Sequence, residues 1–180
     1  FEGFIFCNMD SDPELEIVIN IAYTVQALNL DGTPVTGWPK TVASYGLEGS
    51  PAFGDIDGDG YGEIVVTNHG LTSGGYIYAY KRDGTALTGF PINHGYSSRS
   101  PVLADMNNDG KMEIIVNKRT YPTGSVYVYK YDGTILTGWP KAMGHVPASS
   151  CAVGDITGDN SPEIVMESYT GLYAWNASGD

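Results

Sequence analysis

The sequence predicts an all-β fold assembled from repeated four-stranded units of about 50 residues. Three observations carry the prediction. The composition holds 24 Gly, 10 Pro and 13 Tyr, a mix that favours strands joined by tight turns. The segment Asp31-Gly-Thr-Pro-Val-Thr-Gly-Trp-Pro39 returns as Asp83-Gly-Thr-Ala-Leu-Thr-Gly-Phe-Pro91 and as Asp132-Gly-Thr-Ile-Leu-Thr-Gly-Trp-Pro140, at spacings of 52 and 49 residues. An acidic motif is interleaved with it: Asp55-Ile-Asp-Gly-Asp-Gly-Tyr-Gly-Glu-Ile64, Asp105-Met-Asn-Asn-Asp-Gly-Lys-Met-Glu-Ile114 and Asp155-Ile-Thr-Gly-Asp-Asn-Ser-Pro-Glu-Ile164, with a degenerate first copy from Asn8 to Ile17.

The period divides the chain into one array with units at about 1–48, 49–98, 99–148 and 149–180, the last incomplete. Ser50-Pro51, Ser100-Pro101 and Ser150-Cys151 mark where units begin. Within the second unit, Pro51 to Ile56 reads as a short strand, Glu63 to Thr67 as a buried apolar strand, Tyr76 to Tyr80 as an alternating strand, and Thr88 to Pro91 as a final short strand. Asp83-Gly84 supplies the turn before the last strand, because this pair accepts the positive φ of a tight β-turn. Four short strands per 50-residue unit is the pattern of a β-propeller blade. Trp38, Phe90 and Trp139 share one equivalent position and are expected between blades, where burying each contributes about 1.5 to 3 kcal/mol. The apolar runs Ile64-Val65-Val66, Ile114-Ile115-Val116 and Ile164-Val165-Met166 fit sheets covered on both faces. Neighbouring blades supply that cover.

The acidic loops carry the functional signal. Loop two offers side-chain oxygens at positions 1, 3 and 5 (Asp55, Asp57, Asp59), a backbone carbonyl at 7 (Tyr61) and a carboxylate at 9 (Glu63). Calcium takes six to eight hard oxygen ligands in a flexible shell, which alternate residues of a tightly turned loop can supply. Gly60 permits the sharp reversal at position 6. Loop three keeps the set as Asp105, Asn107, Asp109, the Lys111 carbonyl and Glu113, and loop four as Asp155, Thr157, Asp159, the Ser161 carbonyl and Glu163. These three loops are the expected Ca2+ sites. Loop four has Asn160 at position 6, which tolerates left-handed geometry, and its smaller charge predicts weaker binding. Loop one has Asn8, Asp10, Asp12 and Glu16 in register, but Pro13 stands at position 6. Proline cannot supply positive φ, so this loop must turn differently or fail to close around an ion. An EF-hand opens with similar spacing but places its bidentate Glu at position 12 between helices. Here the Glu is at 9 and strands flank the loop.

Charge and composition exclude several functions. The net charge of −12 argues against nucleic acid or an anionic membrane as partner, and 14 of the 21 acids lie in the four loops. No apolar stretch is long enough for membrane insertion, and no signal-peptide pattern is present. Cys7 and Cys151 show no metal spacing and read as small buried apolar residues. His69, His94 and His145 fall in non-equivalent places expected to be solvated loops, with no adjacent nucleophile motif. Most carboxylate pairs sit where calcium would hold them, so the chain is not expected to be an enzyme. Tyr76, Tyr78, Tyr80, Tyr127, Tyr129, Tyr173 and Trp175 are expected to alternate between core and semi-exposed positions, where rings could stack on sugars. Asn176-Ala-Ser178 is a glycosylation acceptor only in a secreted, glycosylating context.

The run Pro51-Ala-Phe-Gly-Asp-Ile-Asp-Gly-Asp-Gly with Glu63-Ile-Val-Val resembles the FG-GAP or VCBS repeat, the blade of integrin α-chain type propellers and of many bacterial and archaeal surface proteins. The resemblance implies calcium loops that rigidify blade edges and surface loops that engage protein or glycan. It carries over to Asp55, Asp57, Asp59 and Glu63, to Asp105, Asn107, Asp109 and Glu113, and to Asp155, Asp159 and Glu163, with Thr157 a departure in type. Such propellers usually close with about six to eight blades. The chain is therefore expected to be part of a larger assembly. An extracellular or cell-surface recognition or adhesion module is the leading expectation, because such loops load where calcium is near millimolar. Two alternatives stand beside it: an accessory propeller of a secreted protease or polysaccharide lyase, and a subunit that self-associates through its open blade edge into a filament or scaffold.

Overall fold

The computed structural model describes residues 3–10, 12–42, 46–70, 74–97 and 99–180. Among the described residues the chain forms fifteen strands and no helix long and apolar enough to cross a membrane. Blade 1 contains β1 (Phe4–Cys7), β2 (Glu16–Ile21), β3 (Thr24–Leu28) and β4 (Lys40–Thr41). Blade 2 contains β5 (Ala52–Gly54), β6 (Glu63–Thr67), β7 (Tyr76–Tyr80) and β8 (Ile92–Asn93). Blade 3 contains β9 (Val102–Ala104), β10 (Glu113–Thr120), β11 (Thr123–Tyr129) and β12 (Lys141–Met143). Blade 4 contains β13 (Ala152–Gly154), β14 (Glu163–Ser168) and β15 (Gly171–Trp175). Each sheet is antiparallel with strands in chain order, and the fourth has three strands.

The register repeats from blade to blade. Phe6 faces Ile17 across β1 and β2, as Phe53 faces Ile64, Leu103 faces Ile114 and Val153 faces Ile164. The final strand differs from expectation. Thr88 to Pro91 is a turn, and pairing resumes at Ile92 and Asn93. Pro91 has no N–H to give a ladder, and Gly89 takes φ +94° there.

That turn is a lid on the next blade. Trp38 Nε1 donates to the Arg82 carbonyl at 2.9 Å, and Trp139 Nε1 donates to the Ala177 carbonyl at 3.1 Å. Phe90, in the same place, has no donor. The glycine before each ring lies against the next blade's turn: a Cβ on Gly37, Gly89 or Gly138 would collide with the carbonyl of Asp83, Asp132 or Ser178. The turn itself is built by Asp31, Asp83 and Asp132, whose carboxylates accept the backbone N–H of Thr33, Thr85 and Thr134 at 2.9 Å each. The fourth blade keeps the turn with Ser178-Gly179: Asn176 N donates to the Asp180 carbonyl at 3.0 Å and Gly179 N to the Asn176 carbonyl at 2.8 Å. The Asn-Ala-Ser tripeptide noted in the sequence is therefore half of an inter-blade joint.

Three apolar clusters fill the three joints, each drawn from two successive blades. The first joins Val18, Val25 and Trp38 of blade 1 to Ile64, Tyr78 and Tyr80 of blade 2. The strand aromatics do not alternate between core and surface. Residues two apart share a sheet face, so Tyr78 stacks on Tyr80 (6.1 Å, 7°), Tyr127 on Tyr129 (5.8 Å, 9°) and Tyr173 on Trp175 (5.4 Å, 13°), each ladder turned toward the preceding blade.

His94 also departs from expectation. It is buried in the second joint, with Nδ1 3.0 Å from the Tyr129 hydroxyl and Nε2 3.0 Å from the Asn117 carbonyl. His69 meets Glu48 at 2.5 Å and lies on the Tyr96 ring at 4.3 Å, and His145 packs edge-on to Tyr169. Cys7 belongs to the first core cluster and Cys151 packs against the third; both are free thiols, and burial pushes each up to about 12.

Candidate metal centre

Each acidic loop joins the first and second strands of its blade, so the four lie at the same end of their sheets. The loop is wound by its own backbone donors. In loop two, Asp55 Oδ1 accepts the N–H of Gly58 at 2.7 Å and of Asp59 at 3.1 Å, while its Oδ2 accepts that of Gly60 at 2.9 Å. Loop four repeats the set on Asp155 with Gly158, Asp159 and Asn160, and loop three keeps Asp109 and Gly110 on Asp105. These donors, Asn160 and Gly158 foremost, hold the Asp155 carboxyl below its usual range. Position 6 takes positive φ at Gly60 (+88°), Gly110 (+85°) and Asn160 (+66°).

Loop one replaces two partners of this network together. Pro13 at position 6 has no N–H, and position 1 is Asn8, whose Nδ2 donates to the Asp12 carbonyl at 2.8 Å. Ser11 lies outside the described residues. The loop turns without a positive φ at position 6, and its acids still converge.

Position 9 is the anchor. Glu16, Glu63, Glu113 and Glu163 are all buried, and each accepts the N–H of position 2: Met9 at 2.5 Å, Ile56 at 3.0 Å, Met106 at 2.8 Å and Ile156 at 2.9 Å. The position-2 side chains Met9, Ile56 and Met106 enter the three joint cores. Loop and joint are thus tied through one residue. Burial, reinforced by the neighbouring aspartates, raises Glu63 and Glu113 to about 7. A carboxylate so placed gains from any cation that enters the loop.

Two loops gather three carboxylates. Ligand oxygens of Asp55, Asp57 and Asp59 lie within 4.8 Å of one another, as do those of Asp10, Asp12 and Glu16. These clusters could bind a metal ion. Among the described residues loops three and four form no such triad, since position 3 is Asn107 or Thr157. Asn107 Nδ2 donates instead to Glu113 Oε1 at 3.0 Å, and Thr157 Oγ1 approaches Glu163 Oε1 at 3.5 Å.

Lys81 went unnoticed in the sequence. Its Nζ lies 2.8 Å from Asp57 Oδ2 and 2.9 Å from Asp59 Oδ2, and that contact lowers the Asp59 carboxyl. The signal was present in its position directly before the Asp83-Gly84 turn, which returns the chain to the acid loop. The flanking side chains form a swapped pair: Arg82 lies 3.9 Å over the Tyr61 ring in blade 2, and Lys111 lies 3.8 Å over the Tyr131 ring in blade 3.

Residues 55–116, from the first ligand of loop two to the end of the apolar run in β10, match the model of the FG-GAP-like repeat. This segment is similar to an FG-GAP-like repeat. It contains loops two and three whole, and its register extends to both flanking blades through the same anchors and turns. No curated protein sequence matches the chain. Among solved structures, BBS1N in complex with ARL6DN, soaked with mercury, is 16% identical with a TM-score of 0.62, covering 98% of this chain and 54% of that one. A protein of unknown function from Bacteroides caccae is 15% identical with a TM-score of 0.53, covering 89% of this chain and 53% of that one. At such identities the likeness concerns the fold, and BBS1N is a β-propeller. The chain is a β-propeller module with an open run of sheets, spanning about half the length of these solved chains.

Proposed function

We propose that this chain is a non-catalytic, calcium-binding recognition module of an extracellular or cell-surface protein. The observation that carries the calcium reading is the convergence of Asp55, Asp57 and Asp59 within 4.8 Å. Their backbone hydrogen bonds preset that geometry, so little ordering cost remains for the ion. Hard oxygens in a loop held by glycine suit calcium better than magnesium, which demands a rigid octahedron and retains water. Loop one, with Asp10, Asp12 and Glu16 gathered, joins loop two as a first-rank site, and loops three and four are weaker. When bound, the ion would neutralise the crowded carboxylates and lock position 9, and through position 2 the joint behind it.

Recognition of protein or glycan is supported by the other end of the blades. Hairpins between the second and third strands carry Tyr23, Tyr121 and Tyr169, all exposed. Rings presented singly on hairpin tips suit stacking on sugars or on the apolar side chains of a partner protein.

Calorimetric titration of the metal-free chain with calcium and with magnesium tests the metal reading. Two tighter calcium sites are expected, with Asp57→Asn weakening one toward the affinity of loop three and Asp10→Asn weakening the other. Equal heats for both metals, or titration unchanged in both variants, would overturn it. A glycan and protein array probed with wild type and with Tyr121→Ala tests the recognition surface, and the variant is expected to lose signal.

A further inference from the structure

Charge is divided between the two ends of the sheets. Every aspartate of the chain lies at one end, in the acidic loops or in the turns that follow the third strands. The other end holds the hairpins between second and third strands and the connectors between blades. All three histidines lie there, with Arg99, Lys118 and Arg119. Its acids, among the described residues, are Glu48, which meets His69, and Glu167 in blade 4.

Lys118 and Arg119 stand near the end of β10, against the connector that leaves blade 2. Arg119 N donates to the Tyr96 carbonyl at 2.9 Å; its guanidinium lies 5.1 Å over the Tyr96 ring, and Nη1 donates to the Tyr96 hydroxyl at 3.2 Å. The Lys118 ammonium stands 5.7 Å over the Tyr127 ring, and its stem runs so close to Gly95 that a Cβ there would come within 3.0 Å of Cε. Both side chains are half-buried, and among the described residues neither forms a salt bridge, whereas Lys81 stands on two aspartates. Aromatic rings hold these two cations in place. Their charge is positioned without being neutralised, so an anion arriving there meets donors that are already ordered.

The same hairpin carries Tyr121 at its tip, 84% exposed. Residues 118–125 hold no apolar side chain other than Tyr121 and Pro122. A protein partner is gripped chiefly through packed apolar pockets. A bare ring beside hydroxyls and cations instead suits the face of a pyranose that carries an acid group. The acidic loops do not oppose such a ligand. Arg119 stands six residues along β10 from Glu113, about 20 Å at the rise of a strand and more than two screening lengths of about 8 Å.

We propose that Lys118, Arg119 and Tyr121 form a binding site for a short anionic saccharide. The two cations take its carboxylate or sulfate, and the ring takes one face of the sugar. This rests on the reading that this end of the blades recognises ligand, and it names the ligand class.

Calorimetry of the calcium-saturated chain tests the proposal with tetrasaccharides of hyaluronan (carboxylate only), keratan sulfate (sulfate only) and chitin (neutral). At least one acidic tetrasaccharide is expected to bind about tenfold or more tighter than the neutral one, and to loosen as salt is raised. Which acid binds tells carboxylate from sulfate. Lys118→Gln and Arg119→Gln should each weaken that binding by about tenfold, while Lys118→Arg, which keeps the charge, should retain it. Thermal melts followed by circular dichroism check that the variants stay folded, and the selectivity of wild type needs no variant. A neutral tetrasaccharide bound as tightly as the acidic ones would overturn the proposal. So would acidic binding unchanged in both glutamine variants, or no binding of any of the three. A protein or neutral-glycan array signal that Tyr121→Ala abolishes would then leave the recognition reading standing while this proposal falls.

Discussion

The inter-blade joints and the acidic loops sit a few residues apart, and they are stabilised by opposite physics. A joint such as that of Trp139, Met143, Ile164 and Met166 is apolar and needs only its neighbouring blade. A loop such as Asp55 to Glu63 crowds like charges, which the ammonium of Lys81 partly offsets and a bound cation would offset further. The difference implies that blade stacking would be separable from metal loading, although the position-2 residue and its bond to the buried Glu connect loop and joint. A joint variant should weaken the protein equally with and without calcium. A loop variant should act chiefly on the calcium-dependent share of stability.

The largest effect is expected at a joint. Trp139→Ala removes a buried ring and its indole donor, and should cost about 3 to 5 kcal/mol in urea unfolding, in calcium and in EDTA alike. A cost confined to calcium would break the separation.

His94 tests the joint from another side. Burial holds its imidazole down at about 4, below the ordinary value of 6.5, so the unfolded chain takes up the proton first as pH falls. Its contribution is complete above about pH 6.5 and drains as pH drops from there toward 4, by on the order of 3 kcal/mol. Subtracting the pH–stability curve of His94→Gln from that of wild type should recover this window. Coincident curves in that range would remove His94 from the account.

Calcium removal comes next. At a hundredfold excess over Kd each loaded loop should stabilise the fold by about 2.7 kcal/mol, visible as a fall in melting temperature in EDTA. Asp57→Asn should reduce the share of loop two and leave the share of loop one. The smallest effect is expected at Lys81. Because its ammonium stands on two ligands, Lys81→Met should tighten calcium binding at loop two by on the order of tenfold, read by calorimetry. Weaker binding in that variant would mean the lysine organises the loop rather than competing for it.

Much of this was legible in the chain because it is local. The period, the strands Glu63–Thr67 and Tyr76–Tyr80, the Asp-Gly turns and the inward Trp38 and Trp139 all follow from patterns a few residues long. What escaped notice was non-local or disguised. The Thr-Gly-Phe-Pro segment looked like a strand but is a lid, since its partner is a carbonyl of the next blade. The fourth turn was hidden because Ser178 replaces Asp. Loop one was left with two outcomes, turning differently or failing to close, because Pro13 removes positive φ; it turns differently, and the exchange of Asp for Asn8 removed the acceptor that needed the lost N–H.

By itself the sequence determined that this protein repeats one sheet about every 50 residues, with an acidic loop in each copy at a spacing that suits oxygen ligation. Those are one-dimensional properties, set by backbone preference and by the identity of near neighbours. Only the tertiary structure decided that His94 is buried and that Lys81 closes on Asp57 and Asp59. Burial depends on what lies across a joint, as Tyr129 does for His94 from 35 residues away in the chain, and that neighbour exists only once the blades have stacked.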